Sequence, residues 1–321
     1  MANWFFEEAN NFSMDMDMDW NGESYPKWQD FKAFLFFASF FPLTRFILDR
    51  FIFEKIGKLL IFGKASMKVK NVRHRKKMEK FKESAWKFLY SVSAELFALF
   101  VTYNEPWFTN TKYFWRGPQD QVWPHLKIKL KMKLLYMYCG GFYIYAIFAL
   151  IFWETRRSDF KALMAHHFST VALIVPSYMA RLTRVGSMVL ALHEGSDIFL
   201  EFAKMSKYSG FQLLSSIFFS LFALSWFVLR LGFFPFWLIR NLSYETFFML
   251  GKEDSYNLKG MMHYYYCALF LNILLFSLLP LHLYWSWKIL TMLINQIRAK
   301  GQIGNDVRSD PEDEDDKEHE N

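Results

Sequence analysis

Histidines and carboxylates are concentrated in one stretch of the chain, residues 164–201, with the sequence MAHHFSTVALIVPSYMARLTRVGSMVLALHEGSDIFLE. His166 and His167 are adjacent, and His193, Glu194 and Asp197 follow in the next apolar segment. Imidazole is the side chain best suited to moving a proton near neutral pH, and a carboxylate beside it can orient it. Ionisable groups inside apolar segments are costly and usually serve a function. The stretch therefore indicates a functional site with proton-transfer or nucleophilic chemistry.

A metal site is an alternative, because imidazole and carboxylate groups are good ligands for zinc and iron. Membrane di-iron enzymes carry several HxxHH boxes, whereas the other histidines of this chain each stand alone: His74, His125, His263, His282 and His319. We therefore predict no metal and no cofactor, with a single zinc site as the open alternative. The sequence contains no phosphate-binding loop, dinucleotide fingerprint or GxSxG motif.

The segments that carry these residues are apolar enough to cross a bilayer. Apolar residues make up 53% of the chain and aromatic residues 21%, and the aromatic residues gather near the ends of the apolar runs, as they do at membrane interfaces. A bilayer core about 30 Å thick takes roughly 20 helical residues. We predict an all-α polytopic membrane protein of about seven transmembrane helices, the fourth and fifth weakly apolar, over residues 31–53, 85–103, 134–153, 161–181, 185–202, 211–240 and 263–294.

The distribution of positive charge predicts the orientation. Lys and Arg are densest in residues 54–83, so this loop is predicted to be cytosolic. The N-terminus is then lumenal and the C-terminus cytosolic. Residues 125–133 disagree, because their four lysines would be lumenal, and we interpret them as an interfacial segment. The same positive-inside bias and attraction to anionic lipids account for the net charge of +7, so no nucleic-acid partner is expected.

With this orientation the polar residues meet at one depth. His166 lies about five residues into the fourth span, or roughly 7–8 Å below the cytosolic face at 1.5 Å per residue, and Asp197 lies at a similar depth on the antiparallel fifth span. Glu194, Asp197 and Glu201 share one helix face, and His193 and Asp197 are i, i+4 neighbours. The spacing predicts a polar cluster close to the cytosolic leaflet.

The flanking segments carry candidate modification sites. Asn11 and Asn241 begin glycosylation sequons on the predicted lumenal side, and Ser309, which is followed by acidic residues, is a candidate phosphorylation site or part of a solvated tail. Cys139 and Cys267 fall in separate spans and are interpreted as apolar core residues. We divide the chain into a lumenal segment (1–25), the first span with its basic loop (26–84), a membrane domain (85–296) and a disordered acidic tail (297–321).

Longer motifs carry a family resemblance. KFKESAWKFLY, WETRRSDF, the HH pair at 166–167 and RVGSMVLALHEGSDIFLEFAKMSKY resemble the Lag1 motif and flanking blocks of ceramide synthases in the TRAM-Lag1-CLN8 superfamily, and EPWFTNTKYFWRGPQDQVWP is most similar to the plant branch. The resemblance implies a TLC-type helical bundle that encloses an acyl tunnel in the endoplasmic reticulum membrane. It also implies an enzyme that joins a fatty acyl-CoA to the amine of a sphingoid base, sphinganine or phytosphingosine. Whether the active form is a dimer, either a homodimer or a heterodimer, stays open.

The resemblance also implies roles for the clustered residues. It favours a covalent route in which His166 acts as nucleophile or base and becomes an acyl-imidazole, while His167 positions groups or relays protons. Asp197, with Glu194, would orient an imidazole and hold the amine as a cation until attack. His193 and Glu194 stand where the family commonly has His-Asp, so the extra methylene of Glu194 puts the role of that position in doubt.

Two arginines and one loop are candidates for contact with the acyl-CoA. Arg156 and Arg157, at the cytosolic end of the fourth span, are candidates for pairing with CoA phosphates, although arginines mark such helix ends in many membrane proteins. In the family, the loop between the last two spans, here 241–262, influences acyl-chain length.

Two rival functions remain. One is a non-catalytic superfamily member that assists translocation or cargo export, which would not need matched histidines and carboxylates. The other is a transporter, which should show a polar pathway across the bilayer or an internal repeat.

Overall fold

The computed structural model describes residues 20–63, 72–118, 121–250 and 258–298, and almost all of this part of the chain is helical. Two helices continue through wider π-helical segments, Asp49–Phe53 after the helix Phe31–Leu48 and Phe227–Ile239 after the helix Gln212–Trp226. Two short strands, β1 (Glu23–Ser24) and β2 (Ile128–Lys129), pair in an antiparallel sheet. The helices are α1 (Phe31–Leu48), α2 (Glu54–Phe62), α3 (Val72–Thr102), α4 (Leu130–Phe152), α5 (Phe160–Met179), α6 (Thr183–Tyr208), α7 (Gln212–Trp226), α8 (Arg240–Leu250) and α9 (Leu258–Arg298).

The all-α membrane fold is confirmed, and the count of about seven spans holds as an approximation. Five stretches are long and apolar enough to cross a membrane: Trp28–Phe62, His74–Thr102, Leu130–Phe152, Gln212–Glu245 and Met262–Arg298. Helices α5 and α6 have 20 and 26 residues and are therefore also long enough. They are less apolar because they carry the histidines and carboxylates, and they pack inside the bundle, α5 against α4 and α9 and α6 against α3 and α7.

A pair of glycines lets two of the helices approach closely. Gly140 and Gly141 lie on α4 where α1 crosses it. A Cβ atom at Gly141 would lie 2.9 Å from the carbonyl oxygen of Phe34 and 3.0 Å from the backbone nitrogen of Ala38. Small residues allow such backbone contact between membrane helices. The first span is therefore held against the rest of the bundle by main-chain proximity and by the phenylalanine rings around it.

The connection between α3 and α4 covers one end of the bundle, which we call the far end because it lies opposite the histidines. Trp123 Nε1 donates to the carbonyl of Ala180 (2.8 Å) in the turn between α5 and α6, and Arg184 donates to the carbonyls of Tyr113 and Arg116 (2.7 Å each). The indole of Trp107 lies beneath the Arg184 guanidinium, 4.5 Å from ring centroid to Cζ. This connection closes the far end.

Three of the four lysines that disagreed with the predicted orientation are paired with carboxylates in the structure. Lys129 and Lys131 bind Glu105 at 2.9 and 2.8 Å, and Lys133 binds Asp30 at 3.0 Å. Charges neutralised by carboxylates count less toward a positive-inside bias than free cations do. The pairing gives a physical reason for the exception, while the lumenal orientation of this end stays a prediction.

Candidate active site

A tight turn brings the two polar helices side by side. α5 ends at Met179 and α6 begins at Thr183, and between them Arg181 adopts a left-handed conformation (φ 61°) and donates to the carbonyl of Pro124 (2.6 Å). The helices are therefore antiparallel neighbours, so residues equally far from the turn lie at the same level. His166 on α5 and His193 on α6 meet in this way, with ring centroids 6.1 Å apart and ring planes inclined by 20°.

His166 is held in a buried aromatic pocket and is 7% exposed. The indole of Trp285, on α9, meets its ring edge to face at 5.7 Å. Trp285 is fixed in turn, because its Nε1 donates to Asp159 Oδ2 (3.1 Å) just before α5. Within the described residues His166 Nδ1 has no hydrogen-bond partner, and neither does Nδ1 of His167, whose ring lies 5.5 Å from that of Tyr143.

His193 is bound at both ring nitrogens. Its Nδ1 lies 2.7 Å from the carbonyl oxygen of Val189, one turn earlier, and its Nε2 lies 3.2 Å from Nε2 of His282 on α9. Arg230, in the π-helical segment after α7, donates to the backbone carbonyl of His193 and also lies 3.3 Å from Asp197 Oδ1. The ring is therefore held by hydrogen bonds within α6 and to α9, while Arg230 binds the backbone beside it.

The two carboxylates of α6 have different surroundings. Glu194 is buried and accepts hydrogen bonds from the phenols of Tyr143 (2.9 Å) and Tyr90 (3.3 Å). The Asp197 side chain is 40% exposed and lines a cavity with His166 and His167. Asp197 can reach a ligand in this cavity, whereas Glu194 acts on the protein interior through two tyrosines.

The cavity beside Asp197, which we call the polar cavity, has an empty volume of about 960 Å³. It lies at the end of the bundle where α5 begins and α6 ends, because Asp159 and Lys204 line it. The positive charge of residues 54–83 predicts that this end is cytosolic. Buried polar atoms without a partner are rare in proteins and indicate water or a ligand. Among the described residues, four such atoms belong to side chains that line this cavity: His166 Nδ1, His167 Nδ1, Glu201 Oε2 and Arg230 Nε. The cavity is also lined by the cations Lys87, Arg157, Lys204, Arg230 and Lys288.

A second cavity lies on the other side of the histidines, toward the far end. This apolar cavity has an empty volume of about 600 Å³ and a lining that is mostly leucine, valine and isoleucine from α5, α6 and α9, closed by Tyr136 and Ser177 at the far end. His193 lines the apolar cavity, His166 lines the polar cavity, and Tyr143 borders both. The stacked imidazoles therefore lie at the boundary between a charged and an apolar compartment.

The remaining predicted residues are distributed more widely. Arg157 borders the polar cavity but donates to Glu83 (2.6 Å), while Arg156 is exposed and packs over Phe160 with 4.7 Å between Cζ and the ring centroid. Asn241 is the second residue of α8, and its side-chain oxygen accepts from Trp115 Nε1 (3.3 Å). Asn11 and Ser309 lie outside the described residues, as do positions 251–257 of the loop 241–262, whose first part is helix α8.

Three residues at this site were not singled out from the sequence: Arg230, His282 and Trp285. Their only sequence signal was an ionisable or large aromatic side chain inside an apolar run, which marks many such positions. In the part of the chain that the structure describes, no group of three His, Cys, Asp or Glu side chains is arranged to hold a metal ion. The absence of a metal cofactor stays a prediction.

Comparison with known proteins connects this arrangement to a family. The family model described as TLC domain matches residues 80–291. The chain is 54% identical over 305 residues to Ceramide synthase 1 LOH3 of Arabidopsis thaliana, which covers 94% of this chain and 97% of that protein. It is 53% identical over 314 residues to Ceramide synthase LOH1 of the same plant (96% and 99% covered) and 57% identical over 299 residues to an ASC1-like protein of Solanum lycopersicum (92% and 96% covered).

Proposed function

The chain belongs to the TLC-domain family, and from this premise we propose that it is a ceramide synthase, which transfers the acyl group of a fatty acyl-CoA to the amine of a sphingoid base. The observation that carries the proposal is the meeting of the polar and apolar cavities at His166 and His193. An endoplasmic reticulum location with a lumenal N-terminus is part of the same proposal.

The two cavities match the two halves of an acyl-CoA. The CoA moiety is a polyanion and suits the polar cavity with its five cations, while a hydrocarbon chain suits the apolar cavity. A thioester that joins the two halves then lies at the boundary, beside His166 and Tyr143.

The cations of the polar cavity differ in how far they are already neutralised. Lys87 and Arg157 are bound by Glu83, and Lys87 also by Glu154. Lys288 lies over the ring of Tyr284 at 4.8 Å, and no carboxylate of the described residues forms an ion pair with it. We therefore assign CoA-phosphate contact first to Lys288, with Arg157 as a second contact, whereas Arg156 does not border the cavity.

The chemistry proceeds in two balanced steps. Neutral His166 attacks the thioester carbonyl, the carbon–sulfur bond breaks, and the imidazole proton leaves with CoA as the free thiol. The ammonium of the sphingoid base, held beside Asp197, loses one proton to become nucleophilic and attacks the acyl-imidazole. The carbon–nitrogen bond to His166 breaks, and the imidazole recovers its proton from the attacking amine. The sum is one amide, one CoA thiol and one released proton.

Intact-mass measurement on the purified full-length protein tests this route. The protein is incubated in detergent with a long-chain acyl-CoA but no sphingoid base, and dihydrosphingosine is added afterwards. We expect a mass gain of one acyl group, which disappears as N-acyl product forms and is missing in His166→Ala. His125→Ala, at an exposed histidine away from both cavities, serves as the matched control and should behave as wild type.

The other outcomes assign other roles. Product without any mass gain keeps the synthase but makes His166 a general base. No product with acyl chains of any length would exclude the synthase and favour the non-catalytic family function.

A further inference from the structure

His282 is the most deeply buried histidine at the site, although in sequence it stands alone in an apolar run. It is fully buried on α9, and the rings of His193 (5.1 Å between centroids), Phe234 (5.0 Å) and Trp226 (5.9 Å) surround it. Its Nε2 faces Nε2 of His193 at 3.2 Å. His282 lines neither the polar nor the apolar cavity, so it does not reach a ligand in either of them.

The hydrogen bonds of His193 determine which nitrogen carries its proton. A backbone carbonyl can only accept, so His193 Nδ1, at 2.7 Å from the carbonyl of Val189, must be the N–H nitrogen. In a neutral imidazole the other nitrogen is then an acceptor. His193 Nε2 therefore accepts, and His282 Nε2 donates to it.

The charges around His193 favour this neutral form. His166 faces it from α5, His282 from α9 and Arg230 from the π-helical segment after α7, while Tyr143 of α4 borders the same cavity. Arg230 donates to the backbone carbonyl of His193 and to Asp197 on the same helix, so a permanent positive charge lies close to the ring. A second proton on His193 would be repelled by this guanidinium.

We infer that His282 is a positioning residue that fixes the tautomer and the ring orientation of His193, and so keeps a neutral imidazole stacked on His166. The inference rests on the proposed function. Positive charge develops on the His166 ring when it takes up an acyl group, and a neutral His193 ring 6.1 Å away does not repel this charge, whereas an imidazolium would. Without the donor at position 282, His193 Nε2 is left unpaired and buried, and the ring can turn or take up a proton.

Two substitutions at position 282 separate hydrogen bonding from packing. In His282→Gln the side-chain amide still donates near the position of Nε2, whereas His282→Leu fills the space without a donor. We expect His282→Leu to lower the N-acylation rate about tenfold, as expected when one hydrogen bond that orients a buried group is lost. The acid limb of its pH–rate profile should shift to higher pH, because His193 can then become charged. His282→Gln should keep the wild-type profile.

Nitrogen-15 NMR spectra of histidine-labelled protein provide a second test, which does not depend on enzymatic activity. We expect His193 Nε2 to be unprotonated in wild type and in His282→Gln and to titrate in His282→Leu, with His193→Gln used to assign the signal. A leucine variant with the wild-type rate and pH profile, or a glutamine variant no better than an equally folded leucine variant, would overturn the inference. If wild type makes no product but the spectra behave as expected, the proposed function fails and the assignment of the His193 tautomer stands.

Discussion

At the scale of single residues, Asp197 and Glu194 lie one helical turn apart but do different things. Replacing each carboxylate by its isosteric amide removes the charge and little else. In Asp197→Asn the amide oxygen still accepts from Arg230, but the side chain no longer holds a cationic amine, so we expect N-acylation to fall at least about a hundredfold. In Glu194→Gln the amide oxygen still accepts from Tyr143 and Tyr90, and we expect activity within a few-fold of wild type.

Product formation from acyl-CoA and dihydrosphingosine, with melting temperature measured in the same detergent, checks both variants. Equal losses in the two would contradict the division of roles. Glu194→Asp belongs to the same series, because the family resemblance implies Asp at this position. The shorter side chain would weaken one of the two phenol hydrogen bonds, at a cost of about 1 kcal/mol.

The residues that could be predicted from the sequence are those whose meeting depends on local spacing. His166 and Asp197 are brought to one level by two helices and the short turn between them, and both features are visible in residues 164–201. Arg230 and His282 reach the site only through the packing of α7, its π-helical continuation and α9. Sequence periodicity does not give the register of such distant helices, and the 13-residue π-helical segment shifts the face on which Arg230 lies.

At the scale of helices and connections, the contact between α1 and α4 makes a prediction about packing. In Gly141→Ala the new methyl group meets the backbone of α1, which cannot rotate away as a side chain can. We expect the free energy of unfolding to fall by roughly 1–3 kcal/mol, as it does when a methyl group is added to other tightly packed positions. The matched control is Gly195→Ala, on α6, where the nearest atom would be a Glu95 carboxylate oxygen at 3.5 Å, an ordinary contact. A lower melting temperature for Gly141→Ala alone supports the contact, and equal melting temperatures would contradict it.

The connection over the far end makes a prediction about pH. Burial alone would raise the pKa of the Glu105 carboxyl, but hydrogen bonds and charge from Lys131 and Lys129 outweigh it and lower the pKa below its usual range. A carboxyl with a lowered pKa in the folded state adds stability above its unfolded pKa, and this stability is lost as the pH falls through the folded value. We expect Glu105→Gln to melt at a lower temperature than wild type near neutral pH and the difference to shrink below about pH 4. If the difference in melting temperature stayed constant across the acid range, the ion pairs of Glu105 with Lys129 and Lys131 could not be its cause.

At the scale of the whole molecule, the helical bundle places the polar cavity and the apolar cavity on opposite sides of His166 and His193. The helical membrane fold could be predicted from composition and length, since both depend on single segments. The cavities could not, because each is lined by side chains from several helices. Orientation in the membrane stays a prediction from the charge of the loops, and the polar cavity lies at the end that this prediction makes cytosolic, where CoA is available.

The arrangement of the two compartments predicts how binding of the two substrates can be separated. If CoA phosphates lie in the polar cavity, Lys288→Ala should raise the KM for acyl-CoA about tenfold, equivalent to the ~1.4 kcal/mol of one charge-assisted hydrogen bond, and leave the KM for the sphingoid base unchanged. The difference in the KM for acyl-CoA between Lys288→Ala and wild type should become smaller as salt is added, because ions screen a partly exposed charge. Lys161→Ala, an exposed lysine on α5 that does not line the cavity, is the control for loss of one positive charge. Equal effects of the two lysines would mean that acyl-CoA responds to the overall charge of this end and is not bound in the polar cavity. A change in the KM for the sphingoid base alone would instead place the amine substrate beside Lys288.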